Sequence, residues 1–202
     1  ISSDRSRRRV HRLRARVDAV LTGMGTVLAD DPMLTARDVR KVRSRAMRVI
    51  ADSDLDIPET SALVRTATET PTIVFCEKEL ATAEITCEKR KRLAELGVQV
   101  EGVPGRGTGV DLREVLCVLA GRFGVSAVLV EAGPGLLGSM IDGDLVDEMC
   151  VYIAPMMLGD EMARSAAAGR IAPTLAAAHR YELMRAKQIG NDLEVVYRRR
   201  GR

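Results

Sequence analysis

The chain has 202 residues, 46% hydrophobic and 29% charged, a length and balance that suit one well-buried domain and exclude a disordered chain. Two Phe, three Tyr and no Trp leave little material for a nucleic-acid surface built on stacking, and the formal net charge of +3 is modest. No run of about eighteen apolar residues occurs and the opening stretch is polar, so neither a membrane helix nor a signal peptide is expected, and the protein reads as soluble and cytoplasmic.

In chain order, residues 3–17 read as a very basic helix whose narrow apolar stripe is Val10, Leu13 and Val17. The basic runs at residues 5–14 and 198–202 read as a solvated helix face and a terminal tail, with no nucleic acid as partner. Residues 19–23 (AVLTG) form a short strand, followed by a turn at Gly25-Thr26, a short helical turn and a stop at Asp30-Asp31-Pro32. The β-branched runs 47–51 and 72–76 suit buried strands. Residues 84–96 are helical, Gly97 stops that helix, and 98–103 return to strand. Residues 102–109 read as a glycine-rich loop.

Asp111 with Glu114 three residues on is a capping box that opens a helix to Phe123, closed by Gly124. Residues 126–131 (SAVLVE) read as a central strand, which Gly133-Pro134-Gly135 turns into a helix starting near Leu136. Strand, helix and strand in this order predict a parallel crossover. A strand at 149–155 follows, and then 181–189 and 193–198 alternate across Gly190-Asn191-Asp192 as an antiparallel hairpin. The expected fold is a single α/β domain with a mixed, mainly parallel sheet, flanked by helices and antiparallel at one edge.

Two segments concentrate chemistry. In residues 128–139, VLVEAGPGLLGS, a strand delivers glycines to a helix start, where free backbone N–H groups and the helix dipole favour a phosphate, and Glu131 sits at the strand's C-terminal end. A glycine turn of this kind also occurs in proteins that bind nothing, and Glu131 equally suits a carboxylate capping the turn. In residues 22–37, TGMGTVLADDPMLTAR, two glycines and the polar Thr26, Asp30, Asp31, Thr35 and Arg37 crowd an irregular stretch beside a strand, which suits a pocket wall; the plainer alternative is a loop with an Asx turn at Asp31-Pro32. The four cysteines show no C-x-x-C pair and only His11 and His179 could assist them, so no metal site and buried reduced thiols are expected.

The pattern GxGTVLADDPxLTxR after a strand, Asp52-Ser53 ending a second strand, VEAGP before a small-residue helix and LVDEMCVYIAPMMLG at 145–159 together resemble the reductase domain of bacterial and archaeal riboflavin biosynthesis, from Ile1 to about Gly159 and more weakly beyond. The resemblance implies a dihydrofolate-reductase-like fold, a homodimer, NADPH as hydride donor and a small-molecule phosphoribosylamino-pyrimidine as substrate. Carried over by position, Thr26, Asp30, Ser53 and the run Gly133, Pro134, Gly135, Leu136, Leu137, Gly138 and Ser139 would bind the cofactor. Arg14, Leu34, Arg37 and Glu131 would hold the substrate, the guanidinium fork matching a sugar phosphate and Glu131 being the candidate for a catalytic proton. Family members carry an S-x-D-G-x-x-A strand and a Trp ahead of the I-S-S that opens this sequence; without them the chain reads as a domain lacking that first strand, a truncated form of a longer protein. The H-x-E and P-C-x-x-C zinc signature of the deaminase fused to many relatives is also missing. Two other readings stay open: a related NADPH reductase acting on a pterin-like substrate, which would have no ribose phosphate for Arg14 and Arg37, and a catalytically silent nucleotide-binding module.

Overall fold

The computed structural model describes residues 1–39, 45–107, 109–169 and 174–200. Its elements in chain order are α1 (Asp4–Arg14), β1 (Ala19–Gly23), α2 (Met24–Asp30), β2 (Met47–Ala51), α3 (Ala62–Arg65), β3 (Thr72–Glu77), α4 (Lys78–Thr82), α5 (Cys87–Glu95), β4 (Val98–Val103), β5 (Gly105–Arg106), β6 (Gly109–Val110), α6 (Leu112–Phe123), β7 (Val128–Val130), α7 (Pro134–Asp142), β8 (Glu148–Ile153), β9 (Tyr181–Ile189) and β10 (Asp192–Arg199). Five strands form a parallel sheet in the order β4-β3-β2-β1-β7.

Both faces of that sheet are covered, which is why its inner strands are nearly continuous apolar runs. Val20, Ile50 and Val74 point to one side and pack with Val27, Leu63 and Leu93 from the helices there. Leu21, Val49, Ile73 and Phe75 point to the other and pack with Val115 and Leu119 of α6 and Met140 of α7. One cation sits inside this frame. Arg48 of β2 is fully buried, and its guanidinium donates to the hydroxyls of Thr66 and Thr72 and to the carbonyls of Leu63 and Thr70, at 2.7–3.1 Å. Burial lowers its pKa to about 10, and with its donors satisfied it remains charged.

The helix ends follow the local chemistry. Asp111 caps α6 by accepting from the N–H groups of Arg113 and Glu114, and Gly124, at φ 65°, closes it in the left-handed conformation open to glycine. The second helix of interest, α7, starts at Pro134, earlier than the expected Leu136, because proline suits a first helical position that needs no N–H partner.

The expected α/β fold, a parallel sheet flanked by helices with antiparallel strands toward the C-terminus, is what forms, and four details within it are corrected. The parallel and antiparallel strands are hydrogen-bonded as separate sheets, the second being β8-β10-β9, antiparallel throughout. The run 126–131, expected at the centre, is the short β7 at the end of the larger sheet; apolar content reports burial of a strand's faces and says nothing of neighbours at its edges. Among the described residues β7 pairs only with β1, and β8 only with β10. The loop at 102–109 contains the small antiparallel pair β5–β6. All four cysteines are free, but Cys117 is exposed, Cys87 and Cys150 are half-buried, and only Cys76 is fully buried.

Helix α1 touches both sheets. Near its start the backbone N–H of Ser3 and the hydroxyls of Ser3 and Ser6 all donate to the Asp192 carboxylate of β10, at 2.5–2.8 Å, and Arg9 lies 3.5 Å from Glu194 of the same strand. Its last residue, Arg14, meets Glu131 at the end of β7. No helix among the described residues is long and apolar enough to cross a membrane, and none of their His, Cys, Asp and Glu side chains cluster as a metal site.

Candidate active site

A cavity of about 1130 Å³ opens along the C-terminal ends of β2, β1 and β7, where parallel sheets leave their crevice. Its volume suits a dinucleotide lying beside a small substrate. Gly23, Met24 and Gly25 form its floor at the end of β1, Ala51 and Ser53 at the end of β2, and Glu131 at the end of β7; the start of α7 is one wall, and residues 106, 107 and 109–113 are another.

Glycines decide how closely a ligand can approach this floor. A Cβ added at Gly25 or Gly135 would meet nothing within 4 Å, so these two glycines are not required by packing within the protein, and their bare backbone faces open space. This is a cradle whose room a side chain would fill. Thr26 fixes it by accepting a hydrogen bond from the Gly133 N–H at 3.0 Å, which ties α2 to the α7 turn and leaves the hydroxyl proton for a ligand.

At the β7 end Arg14 and Glu131 form a bidentate pair, Nε to Oε1 at 2.8 Å and Nη2 to Oε2 at 2.6 Å, with Nη1 donating to the Thr35 carbonyl at 3.0 Å. Their side chains keep 13% and 23% exposure, so the pair is largely desolvated yet reachable from the cavity. Leu34, buried and at φ 51°, closes this end. At the β2 end the buried Asp52 carboxylate accepts the N–H groups of Asp56 and Ile57; burial raises its pKa and these two bonds pull it back. The turn they hold presents Ser53, whose hydroxyl accepts from the Val110 N–H at 3.0 Å and thereby fixes β6 over the cavity.

Most of the residues expected from sequence therefore meet in one cavity: Arg14, Thr26, Asp30, Leu34, Ser53, Glu131, Gly133, Pro134, Gly135, Leu136 and Ser139 all line it. Three do not. Arg37 is exposed and outside the wall, its backbone N–H bonded to His11 Nδ1 at 3.3 Å, because the chain turns away after Leu34. Leu137 and Gly138 are outside the lining, and a Cβ at Gly138 would collide with the Ala168 carbonyl, so this glycine serves packing of residue 168 against α7. Asp31 makes no Asx turn; it ends α2 in the left-handed region and accepts the Ala62 N–H at 2.6 Å.

Sequence reasoning missed the wall at Arg106, Asp111 and Arg113, and also Arg164. The glycines around Arg106 marked a loop but not which strand end it covers.

Over residues 1–195 the chain matches the sequence family described as the RibD C-terminal domain. It is similar, at 38% identity over the whole chain and 88% of the relative, to the 2,5-diamino-6-ribosylamino-4(3H)-pyrimidinone 5′-phosphate reductase of Methanothermobacter thermautotrophicus. It is 30% identical over 98% of its length to the riboflavin biosynthesis protein RibD of Actinobacillus pleuropneumoniae, of which it spans 50%. Among solved structures, Acinetobacter baumannii RibD superposes on 98% of the chain with a TM-score of 0.82 at 27% identity, the chain covering 51% of that protein.

Proposed function

Because the chain belongs to the RibD C-terminal domain family, we infer that it catalyses the pyrimidine-reductase step of riboflavin biosynthesis, an oxidoreductase reaction on a ribosylamino-pyrimidine 5′-phosphate with a nicotinamide cofactor. The finer reading is that the cofactor is NADPH and that C1′ of the ribosylamino group is reduced to the ribitylamino product. The observation that carries it is the joining, in one cavity, of a bare-backbone phosphate cradle to a guanidinium 13% exposed at the far end.

When bound, the nicotinamide supplies the hydride. The chain supplies the positions. Gly133, Pro134 and Gly135 offer the N-terminus of α7 to the cofactor's phosphates, and Thr26, Asp30, Ser53, Leu136 and Ser139 border them. Arg14 is the residue for the substrate phosphate, since the fork that now holds Glu131 and the Thr35 carbonyl is the donor geometry a phosphate accepts. Leu34 packs beside the substrate, and Glu131 keeps Arg14 in register and is the nearest carboxylate for a polar group of the pyrimidine. Arg37, outside the wall, has no part in this reading.

Residues 1–202 are taken as one reductase domain, in which, among the described residues, β7 and β8 each keep one edge without a strand partner. A homodimer is supported by the exposed Ile153, Leu183 and Leu193 on the antiparallel sheet, where Leu193 pairs in register with Ile153. The test is NADPH oxidation with the diamino-pyrimidinone phosphate and, separately, its deaminated counterpart. Turnover of either is expected; tight cofactor binding with turnover of neither would leave a silent nucleotide-binding module in its place.

A further inference from the structure

We propose that Arg106 is the residue that selects a 2′-phosphorylated nicotinamide dinucleotide over the unphosphorylated one. The inference rests on the cofactor reading above and adds a specificity-determining residue to it.

The cavity is elongated along three strand ends. Arg14 and Glu131 occupy the β7 end, the glycine cradle lies at the β1 end, and Ser53 with the β5–β6 pair occupies the β2 end. A dinucleotide whose pyrophosphate rests in the cradle points its two halves toward opposite ends. The half that reacts must reach the substrate beside Arg14, which sends the adenosine half toward Ser53 and Arg106. Gly107 and Gly109 line the wall there beside Arg106, and its position is fixed by the Ser53–Val110 hydrogen bond. Arg106 is thus mounted on an anchored hairpin at the place where an adenosine ribose would lie.

Its charge is only loosely engaged. The guanidinium is 66% exposed and forms a long ion pair with Asp111 at 3.8 Å, beyond a normal hydrogen bond. The other Asp111 oxygen caps α6, so the carboxylate is held in place while the Arg106 side chain can swing from it to a stronger anion. Arg113, the neighbouring cation, donates to the Gly143 carbonyl at 3.0 Å and is turned toward the end of α7. A dianionic 2′-phosphate would find in Arg106 a planar fork that can close on it by a side-chain rotation. A ribose 2′-hydroxyl would gain no comparable bond.

The test is calorimetric titration of the intact chain with adenosine 2′,5′-bisphosphate and with AMP. Wild type is expected to favour the bisphosphate, and Arg106→Ala to reduce that preference by about tenfold or more, with AMP affinity within about twofold. Arg106→Lys should keep part of the preference, and Arg113→Ala should keep most of it. Equal loss for both ligands, an unchanged preference, no binding of either ligand to wild type, or a collapse in Arg113→Ala alone would each overturn the proposal. The pyrimidine-reduction assay fails separately: selective loss of bisphosphate binding without turnover of any pyrimidine would leave Arg106 assigned and the substrate reading lost.

Discussion

Replacing Glu131 by alanine should expose how far the cavity depends on one ion pair. At about 4 Å between charge centres and an effective dielectric constant of about 20, the attraction between Arg14 and Glu131 is about 4 kcal/mol, and the cost of partly desolvating both ions takes back a large share. What survives is on the order of the 1.5–3 kcal/mol typical of hydrogen bonds to charged groups, for a bidentate pair at 2.6 and 2.8 Å. Glu131→Ala leaves Arg14 with the Thr35 carbonyl as its recorded partner and should cost roughly 2 kcal/mol, a fall in Tm of about 4–8 °C for a chain of this size. Urea unfolding of wild type, Arg14→Ala, Glu131→Ala and the double variant closes a thermodynamic cycle, with an expected coupling of about 1.5–3 kcal/mol. Additivity within about 0.5 kcal/mol would refute the argument and show that the two side chains are held by their backbones instead.

Two neighbouring glycines should behave in opposite ways. Gly135→Ala enters open space and should leave Tm nearly unchanged while weakening dinucleotide binding, whereas Gly138→Ala must displace the Ala168 backbone and should lower Tm; calorimetry and thermal melts separate the two effects. Arg37→Ala, outside the cavity wall, should change KM for substrate and cofactor less than about twofold, and a tenfold rise in substrate KM would return Arg37 to the site. With a thiol reagent at pH 8, Cys117 should react first. Cys76, fully buried and with its pKa pushed up to about 11 by burial, should react only on unfolding, as peptide mass mapping would report. The Ser6 and Ser3 donors hold Asp192 below its ordinary value of 3.8, so its charge stabilises the fold at neutral pH and that contribution is lost as pH falls through the lowered value. Asp192→Asn should therefore lower Tm at pH 7 by an amount that shrinks in strong acid, which melts across pH would reveal.

The elements of the parallel sheet are legible in sequence because each strand is a short β-branched run and each neighbouring helix carries an end signal such as Asp111, Gly97 or Gly124. Most of the cavity is legible for a related reason: Gly25, Thr26 and Gly133 spend small and polar residues where a strand ends, which a core has no use for. What is not legible is distance across the fold. Arg37 looks equivalent to Arg14 as a cation near a turn, and only the path of the chain after Leu34 separates them. Gly138 looks equivalent to Gly135, and only the return of residue 168 against α7 tells a packing glycine from a ligand-facing one. Arg48 lies in a strand pattern that offers no hint that its charge is buried, because its partners come from 63–72 through tertiary folding.

Helix α1 also has a mechanical role. With eleven residues it is about 16 Å long, and it is pinned at one end to the antiparallel sheet by Asp192 and at the other to the parallel sheet by Glu131. It therefore acts as a strut: the two sheets, which share no backbone ladder among the described residues, cannot part without releasing a charged contact at one of its ends. Opening of the antiparallel sheet is consequently a concerted event rather than strand-by-strand fraying, and amides of β9 and β10 should share one exchange rate that rises when either pin is cut. An anion that draws Arg14 away from Glu131 would loosen the same strut, so occupancy of the cavity and the breathing of a sheet outside it become a single equilibrium.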